Sequence, residues 1–87
     1  MDLCNRAPYL RVMEWDAELD ALGMLCPLPV LKARKRLEPL APGQVLRVVA
    51  DDPAAVVDMP HFCAEAGHEL VSSDIDGPEL IFLIRKA

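Results

Sequence analysis

Alternation of apolar and polar positions predicts four strands along the chain. Residues 17–22 alternate, with Leu19 and Ala21 on the side expected to face the core. Residues 44–50 contain a β-branched run bounded by turn residues, which favours a second strand. Residues 70–73 and 80–84 predict two further strands, joined by a turn at Asp76-Gly77-Pro78.

Helical periodicity predicts a first helix over residues 27–37. Val30, Ala33 and Leu37 share one face at a spacing of about 3.6 residues, and the opposite face is basic. Prolines and a glycine in residues 39–43 stop this helix and turn the chain toward the second strand.

A second helix is predicted over residues 54–66. Asp52 is the expected N-cap, Pro53 the first helical residue, and Gly67 the C-terminal stop. Pro60 lies inside this segment, so we expect it to bend the helix or to split off its first turn.

The predicted order of elements is β-α-β-α-β-β. It indicates an α+β fold, a two-layer sandwich in which a four-stranded mixed sheet carries both helices on one face. Residues 1–14 show no clear periodicity, so we expect a loosely ordered N-terminal extension before a single domain over residues 15–87.

Composition and charge narrow the classes of partner. The chain is 53% hydrophobic but only 5% aromatic, so an aliphatic core is expected. Its net charge of -5 argues against direct binding of nucleic acid, which needs a dense basic surface. Apolar runs are too short to cross a membrane, and the N-terminus does not resemble a secretory signal. We therefore expect a cytoplasmic monomer that binds neither nucleic acid nor membrane.

The three cysteines do not form a disulfide framework, because their number is odd and they are widely spaced at positions 4, 26 and 63. Cys63 is expected to pack in the core, and Cys4 has no expected role. Together, His61, Cys63 and His68 lack the paired spacing of a zinc site, so no metal and no cofactor are predicted.

Cys26 is the residue with the most distinctive chemistry. It stands between a strand and a helix, and Pro27 favours it as the N-cap. A helix N-terminus stabilises an anion and so favours the thiolate. Pro29 occupies the place of the second cysteine of a Cys-X-X-Cys motif, which excludes a redox dithiol within the motif. Since no base with an orienting partner is evident, a hydrolytic nucleophile is disfavoured. A persulfide carrier and a buried structural cysteine both remain open on the residues alone.

Two motifs resemble the TusA/SirA family of sulfur-carrier proteins. The first joins Leu19-Asp20-Ala21-Leu22-Gly23 to Cys26-Pro27-Leu28-Pro29 two residues later, and the second is the block from Asp51-Asp52-Pro53 through Cys63. The resemblance implies that Cys26 carries a persulfide, with Gly23, Pro27, Pro29, Asp52 and Pro53 as supporting motif positions.

The resemblance also implies partners. A cysteine desulfurase or a rhodanese-type sulfurtransferase would donate the sulfur. An acceptor protein would pass it to tRNA thiolation, molybdenum-cofactor maturation or sulfur oxidation. The chain would then be a sulfurtransferase only in the relay sense. The alternative functions are a non-catalytic regulatory adaptor and a cysteine-based redox sensor on the same fold.

The surroundings of Cys26 depart from the family pattern. Leu28 lies where many members have Glu, and Leu25 where some have Arg. Desolvation by these apolar side chains would raise the pKa of the Cys26 thiol, whereas the helix N-terminus would lower it, so the direction of the net shift stays open. Exposed apolar residues often mark an interface. A basic cluster that includes Arg34 could either dock an acidic partner or be simply solvated. The predicted docking residues are Met24, Leu25, Leu28, Lys32, Lys35 and Arg36.

Overall fold

The computed structural model describes residues 15–87. The predicted N-terminal extension and Cys4 lie outside the described residues. The described chain forms the six elements in the predicted order, as four strands and two helices: β1 (Ala17–Ala21), α1 (Leu28–Leu37), β2 (Val45–Ala50), α2 (Ala55–Ala66), β3 (Glu69–Asp76) and β4 (Glu79–Arg85).

The four strands form one mixed sheet in the order β1-β2-β4-β3. Strands β1 and β2 are parallel, with Ala17 opposite Leu46 and Ala21 opposite Ala50. Strand β4 pairs antiparallel with β2 on one side and with β3 on the other. The parallel pair is joined by α1, as a crossover connection requires. The predicted α+β sandwich is confirmed.

Both helices cover the same face of the sheet. Ala33 and Leu37 of α1 and Met59 and Phe62 of α2 belong to one buried cluster with the inward-facing residues of β1, β2 and β4. The alternation predicted for the first strand is confirmed, because Leu19 and Ala21 are both buried. The core is aliphatic in the main, with both phenylalanines of the chain added to it.

Helix α1 begins one residue later than predicted. The carbonyl of Pro27 accepts the first helical hydrogen bond from Leu31 N at 3.1 Å, so Pro27 is the N-cap and Cys26 precedes it. The Cys26–Pro27 peptide bond is cis. The prediction of Cys26 as N-cap is therefore wrong, although the thiol still lies beside this helix end.

Helix α2 also begins after its predicted start. Asp52 and Pro53 form a tight turn in which the Asp52 carbonyl accepts from Ala55 N at 2.9 Å. Ala54, and not Asp52, is the N-cap. The helix runs through Pro60 without a break, which excludes the split but not the bend among the two predicted outcomes, and it ends at Gly67 in a left-handed conformation (φ 83°) as predicted.

Strand β3 is longer than the four residues predicted. It pairs with β4 as far as Asp76 opposite Glu79, although Ser73, Asp74 and Asp76 are exposed. An edge strand with polar outer residues lacks the alternating burial on which the prediction depended. In residues 15–87 no helix is long and apolar enough to cross a membrane.

Candidate functional site

Two loops meet at one edge of the sheet. Strands β1 and β2 are parallel and end opposite each other at Ala21 and Ala50. The segments that follow them, residues 22–27 and 51–54, therefore leave the sheet side by side. This edge places Cys26 next to the start of α2.

Two aspartates after β2 hold the loop that contains Cys26. The Asp51 carboxylate accepts from Gly23 N at 3.0 and 3.2 Å, and Gly23 has the positive φ of 79° that favours glycine at this turn. Asp52 Oδ2 accepts from Cys26 N at 2.7 Å, while its Oδ1 accepts from Ala54 N at 3.1 Å. Asp52 thus bridges the cysteine loop and the turn that opens α2.

From the residues alone Asp52 is predicted as a helix cap and from the family resemblance as a supporting motif position, but neither predicts its bond to Cys26 N or the bond of Asp51 to Gly23 N. These hydrogen bonds depend on β1 and β2 being adjacent and parallel, which the local sequence pattern does not reveal. Acidic side chains that directly follow one strand can then reach free backbone N–H groups in the loop that follows its neighbour.

Cys26 is exposed and lines a pocket of about 170 Å³ between α1 and α2. Pro27, Val30 and Phe62 supply its apolar lining, and four charged or titratable side chains supply the rest. Sequence analysis did not predict this pocket. Its charged or titratable lining residues are Arg34, Asp58, His61 and Glu65.

One contact between the helices and one ion pair within α2 lie on the polar side of the pocket. The guanidinium of Arg34 lies over the ring of Phe62, 5.1 Å from its centroid. His61 Nε2 and Glu65 Oε2 are 3.3 Å apart, one turn from each other on α2. Arg34 was predicted only as part of a basic cluster, but it connects α1 to α2 beside the thiol.

Carboxylates raise the pKa of the Cys26 thiol above its ordinary value. A hydrogen bond with the Asp58 side chain is the largest cause, and desolvation and the negative charges of Asp58 and Asp52 act in the same direction. These causes all act against the thiolate, opposite to the effect expected of the helix end. The sequence suggests two influences on this pKa, desolvation and the helix N-terminus. The largest cause is instead Asp58, which no local pattern could indicate because it is far from Cys26 along the chain.

The supporting motif positions do not all lie at the thiol. Pro27 adjoins it, and Gly23 and Asp52 are tied to its loop by the hydrogen bonds described above. Pro29 is buried in the first turn of α1, and Pro53 is exposed in the turn before α2.

The predicted docking residues divide into three groups. Leu25 and Leu28 are exposed, by 69% and 45%, and adjoin the thiol along the chain. Met24 differs, since it is half-buried against the core. Lys35 and Arg36 are exposed in the last turn of α1, about 12 Å along the helix axis from its start, whereas Lys32 is closer. Four further apolar side chains on these loops and helices are exposed: Leu22, Leu31, Val56 and Val57.

Cys63 lies in the core, as predicted, with 2% of its surface exposed. It is a free thiol, and burial raises its pKa to about 11. In the part of the chain that the structure describes, no group of three histidine, cysteine or acidic side chains is arranged to hold a metal ion.

Comparison with known proteins agrees with this architecture. The sequence model of the family described as sulfurtransferase TusA matches residues 17–86. The chain is 46% identical over 74 residues to the sulfur carrier protein TusA of Allochromatium vinosum, covering 85% of this chain and 97% of that protein. The crystal structure of a SirA-like protein from Desulfitobacterium hafniense superposes with a TM-score of 0.72 at 26% identity, covering 80% of this chain and 96% of that one. The chain belongs to the TusA family.

Proposed function

We propose that this protein is a sulfur carrier that holds sulfane sulfur as a persulfide on Cys26 Sγ and relays it between proteins. One observation carries the proposal. In a chain of this family, the cysteine of the Cys-Pro-X-Pro motif is exposed and its backbone N–H is fixed by Asp52 at 2.7 Å. An accessible thiol on a fixed loop is what transfer between two proteins requires.

Loading is a nucleophilic substitution at sulfur. Cys26 loses its proton, and the thiolate attacks the terminal sulfur of a donor persulfide. The donor S–S bond breaks, its thiolate leaves and takes up one proton, and Cys26 becomes Cys-S-S-H. In the second step an acceptor thiolate attacks the terminal sulfur, and Cys26 leaves as the thiolate. The sulfane sulfur changes its carrier and not its oxidation state, so neither step needs an external oxidant or reductant.

Within residues 15–87 no second exposed thiol accompanies Cys26, which favours storage of the persulfide. A resolving cysteine would attack the inner sulfur and discharge the group as a disulfide. Of the two cysteines in residues 15–87, Cys63 is buried in the core and Cys26 is exposed. The same requirement for a free thiol suggests a reducing compartment, and we place the carrier in the cytoplasm.

The surroundings of the thiol suggest how partners dock. Leu25 and Leu28 supply exposed apolar surface beside Cys26, and Lys32 with the basic last turn of α1 supplies positive charge. A partner with an acidic patch around its own reactive cysteine would complement this surface. The donor class is a cysteine desulfurase or a rhodanese-type sulfurtransferase, and the acceptor is a second protein with a reactive thiol.

Intact-mass spectrometry tests the proposal. Incubation with a cysteine desulfurase and cysteine, or with a rhodanese and thiosulfate, should add about 32 Da, one sulfur atom, to the wild-type chain. Cys26→Ser should take up no sulfur, and Cys63→Ser should load like the wild type. No adduct with either donor, or an equal adduct on Cys26→Ser, would reject the carrier function and favour an adaptor or a redox sensor.

A further inference from the structure

Among residues 15–87, neither helix covers the second face of the sheet. Both helices pack on the face that carries the buried core cluster. The residues that alternate with that cluster along the strands point to the other face, which we call the open face. It has an apolar centre outside the core cluster, formed by aliphatic side chains of the two central strands: Val45, Val49, Ile81 and Leu83. A sheet face with an apolar centre and no helix layer over it is suited to bind a partner.

Acidic side chains surround this apolar centre. The strand register places two arginines on the open face, and a glutamate holds each of them: Arg47 Nη1 lies 3.0 Å from Glu18 Oε2, and Arg85 pairs with Glu69. The other charged side chains that the register places there are carboxylates, and within residues 15–87 none of them pairs with a lysine, arginine or histidine: Asp20, Asp74, Asp76 and Glu79. The open face therefore has an excess of negative charge.

A groove of about 260 Å³ lies on the open face where β1 and β2 end and β4 begins. Leu22, which is 41% exposed, and Val49 supply apolar lining, and Asp20 and Glu79 supply carboxylates. Leu22 is also the first residue of the loop that contains Cys26, so the groove and the thiol lie at the same end of the sheet. A partner that enters this groove docks beside the cysteine loop.

We propose that the open face is a second docking surface, which binds a protein partner that presents basic and apolar side chains. The methylene chain of a lysine or arginine from the partner would lie along Leu22 and Val49, and its charged end would reach Asp20 and Glu79. Helix α1, which is basic, lies in the other layer and stays free for an acidic partner. The proposal goes beyond the proposed function, because it adds a partner of the opposite charge on a separate surface.

The charge of the open face decides between its possible occupants. Two copies that meet through their open faces would bring their carboxylates together, which disfavours a symmetric dimer. A second copy could instead offer its basic α1, but this head-to-tail contact would build rings or filaments and not a carrier that moves between partners. A separate protein with a basic surface meets neither obstacle.

An NMR titration of the isotopically labelled wild-type chain locates the binding surface. The probe is a short synthetic peptide of alternating arginine and leucine, added at constant salt. Amide chemical shifts should change most at Leu22, Val49 and Ile81 and little in α1, and the same peptide with glutamate in place of arginine should not bind. The largest changes on the helices, or equal binding of the glutamate peptide, would overturn the proposal.

Matched pairs of substitutions test the role of charge. Glu79→Gln combined with Asp74→Asn should raise the dissociation constant of the arginine peptide by about fivefold, because two carboxylates of the open face lose their charge. Glu38→Gln combined with Glu65→Gln removes the same charge from exposed positions in the helix layer and should change this constant by less than about twofold. Equal weakening by both pairs would mean that only net charge matters and would contradict a site on the open face.

A second matched pair tests the apolar centre. Ile81→Thr should raise the same dissociation constant by about threefold. Ile75→Thr is its control, since Ile75 is 73% exposed but lies opposite Leu80, on the helix side of the sheet. Equal effects of the two substitutions would contradict binding through the apolar centre. The wild-type titration needs no substitution, so a variant that fails to fold leaves the test intact.

Two further measurements separate this proposal from its alternatives. Light scattering should find that the arginine peptide does not change the mass of the wild-type assembly apart from its own. Oligomers that the peptide dissociates would show that a second copy occupies the open face and would overturn the proposal. Sulfur loading is independent: a chain that binds the peptide here but takes up no sulfur loses the proposed function and keeps this surface.

Discussion

The two cysteines of the described chain are placed in opposite environments. Cys26 lies in a loop at the sheet edge, exposed, with its backbone held by Asp52. Cys63 lies on the inner face of α2 with 2% of its surface exposed. Both thiols have a raised pKa. Burial is the cause for Cys63, whereas nearby carboxylates, Asp58 above all, are the main cause for Cys26.

The difference shows which of the two raised pKa values a partner can change. Burial of Cys63 is a property of the folded core and persists as long as the fold does. The carboxylates beside Cys26 are only half-buried, so a bound cation, a substitution or salt can alter their effect. A cysteine thiol is thus unreactive in the core, whereas in the loop at the end of β1 its pKa depends on surroundings that can change.

The largest expected difference is in reactivity. In the native protein, iodoacetamide should label Cys26 readily, whereas Cys63 reacts only after local or global opening, which slows its labelling by about a thousandfold or more. Timed quenching followed by peptide mapping measures both rates in one sample. Comparable rates for the two cysteines would contradict the burial of Cys63.

Substitution of Cys63 should lower the stability of the fold more than substitution of Cys26. Cys63→Ser places a hydroxyl in the apolar core, and we expect it to lower the free energy of unfolding by about 2 kcal/mol. Cys26→Ser, at an exposed position, should change it by less than about 0.5 kcal/mol. Urea denaturation of both variants makes the comparison. Equal losses would mean that Cys26 also has a packing role.

The smallest effect concerns the hydrogen bonds of the cysteine loop. Asp52→Ala removes the acceptor of both Cys26 N and Ala54 N and should lower the free energy of unfolding by about 1 kcal/mol. Hydrogen exchange at the Cys26 amide should become faster, while amides in the α2 segment around Cys63 should change only as much as global stability does. Asp52→Asn, which keeps one acceptor oxygen, is the matched control. If both variants retain Cys26 amide protection, another group holds this loop.

The fold could be predicted from the sequence because its signals are local. The β-branched run of β2, the one-sided apolar spacing of α1 and Gly67 after α2 each fix one element. The errors are local too. The prolines that follow Cys26 and Asp52 predict these two residues as N-caps, but the first helical hydrogen bonds start at later carbonyls. The predicted third strand is too short because the outer half of β3, residues 73–76, is exposed and mostly polar.

The site could be predicted only in part. Cys26 stands out within a four-residue motif, so the sequence alone is enough to make it the candidate. Its environment depends on which strands are neighbours and how two helices face each other. The hydrogen bond from Cys26 N to Asp52, the pocket that Cys26 shares with Asp58 and the Arg34–Phe62 contact all join segments far apart in sequence. No local pattern encodes these pairings.

The measurement that tests the central claim most directly is the persulfide occupancy of the two cysteines within one wild-type sample. After loading by a sulfur donor and rapid alkylation, peptide mapping should find the added sulfur, about 32 Da, on the peptide that contains Cys26 and none on the peptide that contains Cys63. Sulfur on Cys63, or equal occupancy of both thiols, would contradict the account of Cys26 as the carrier.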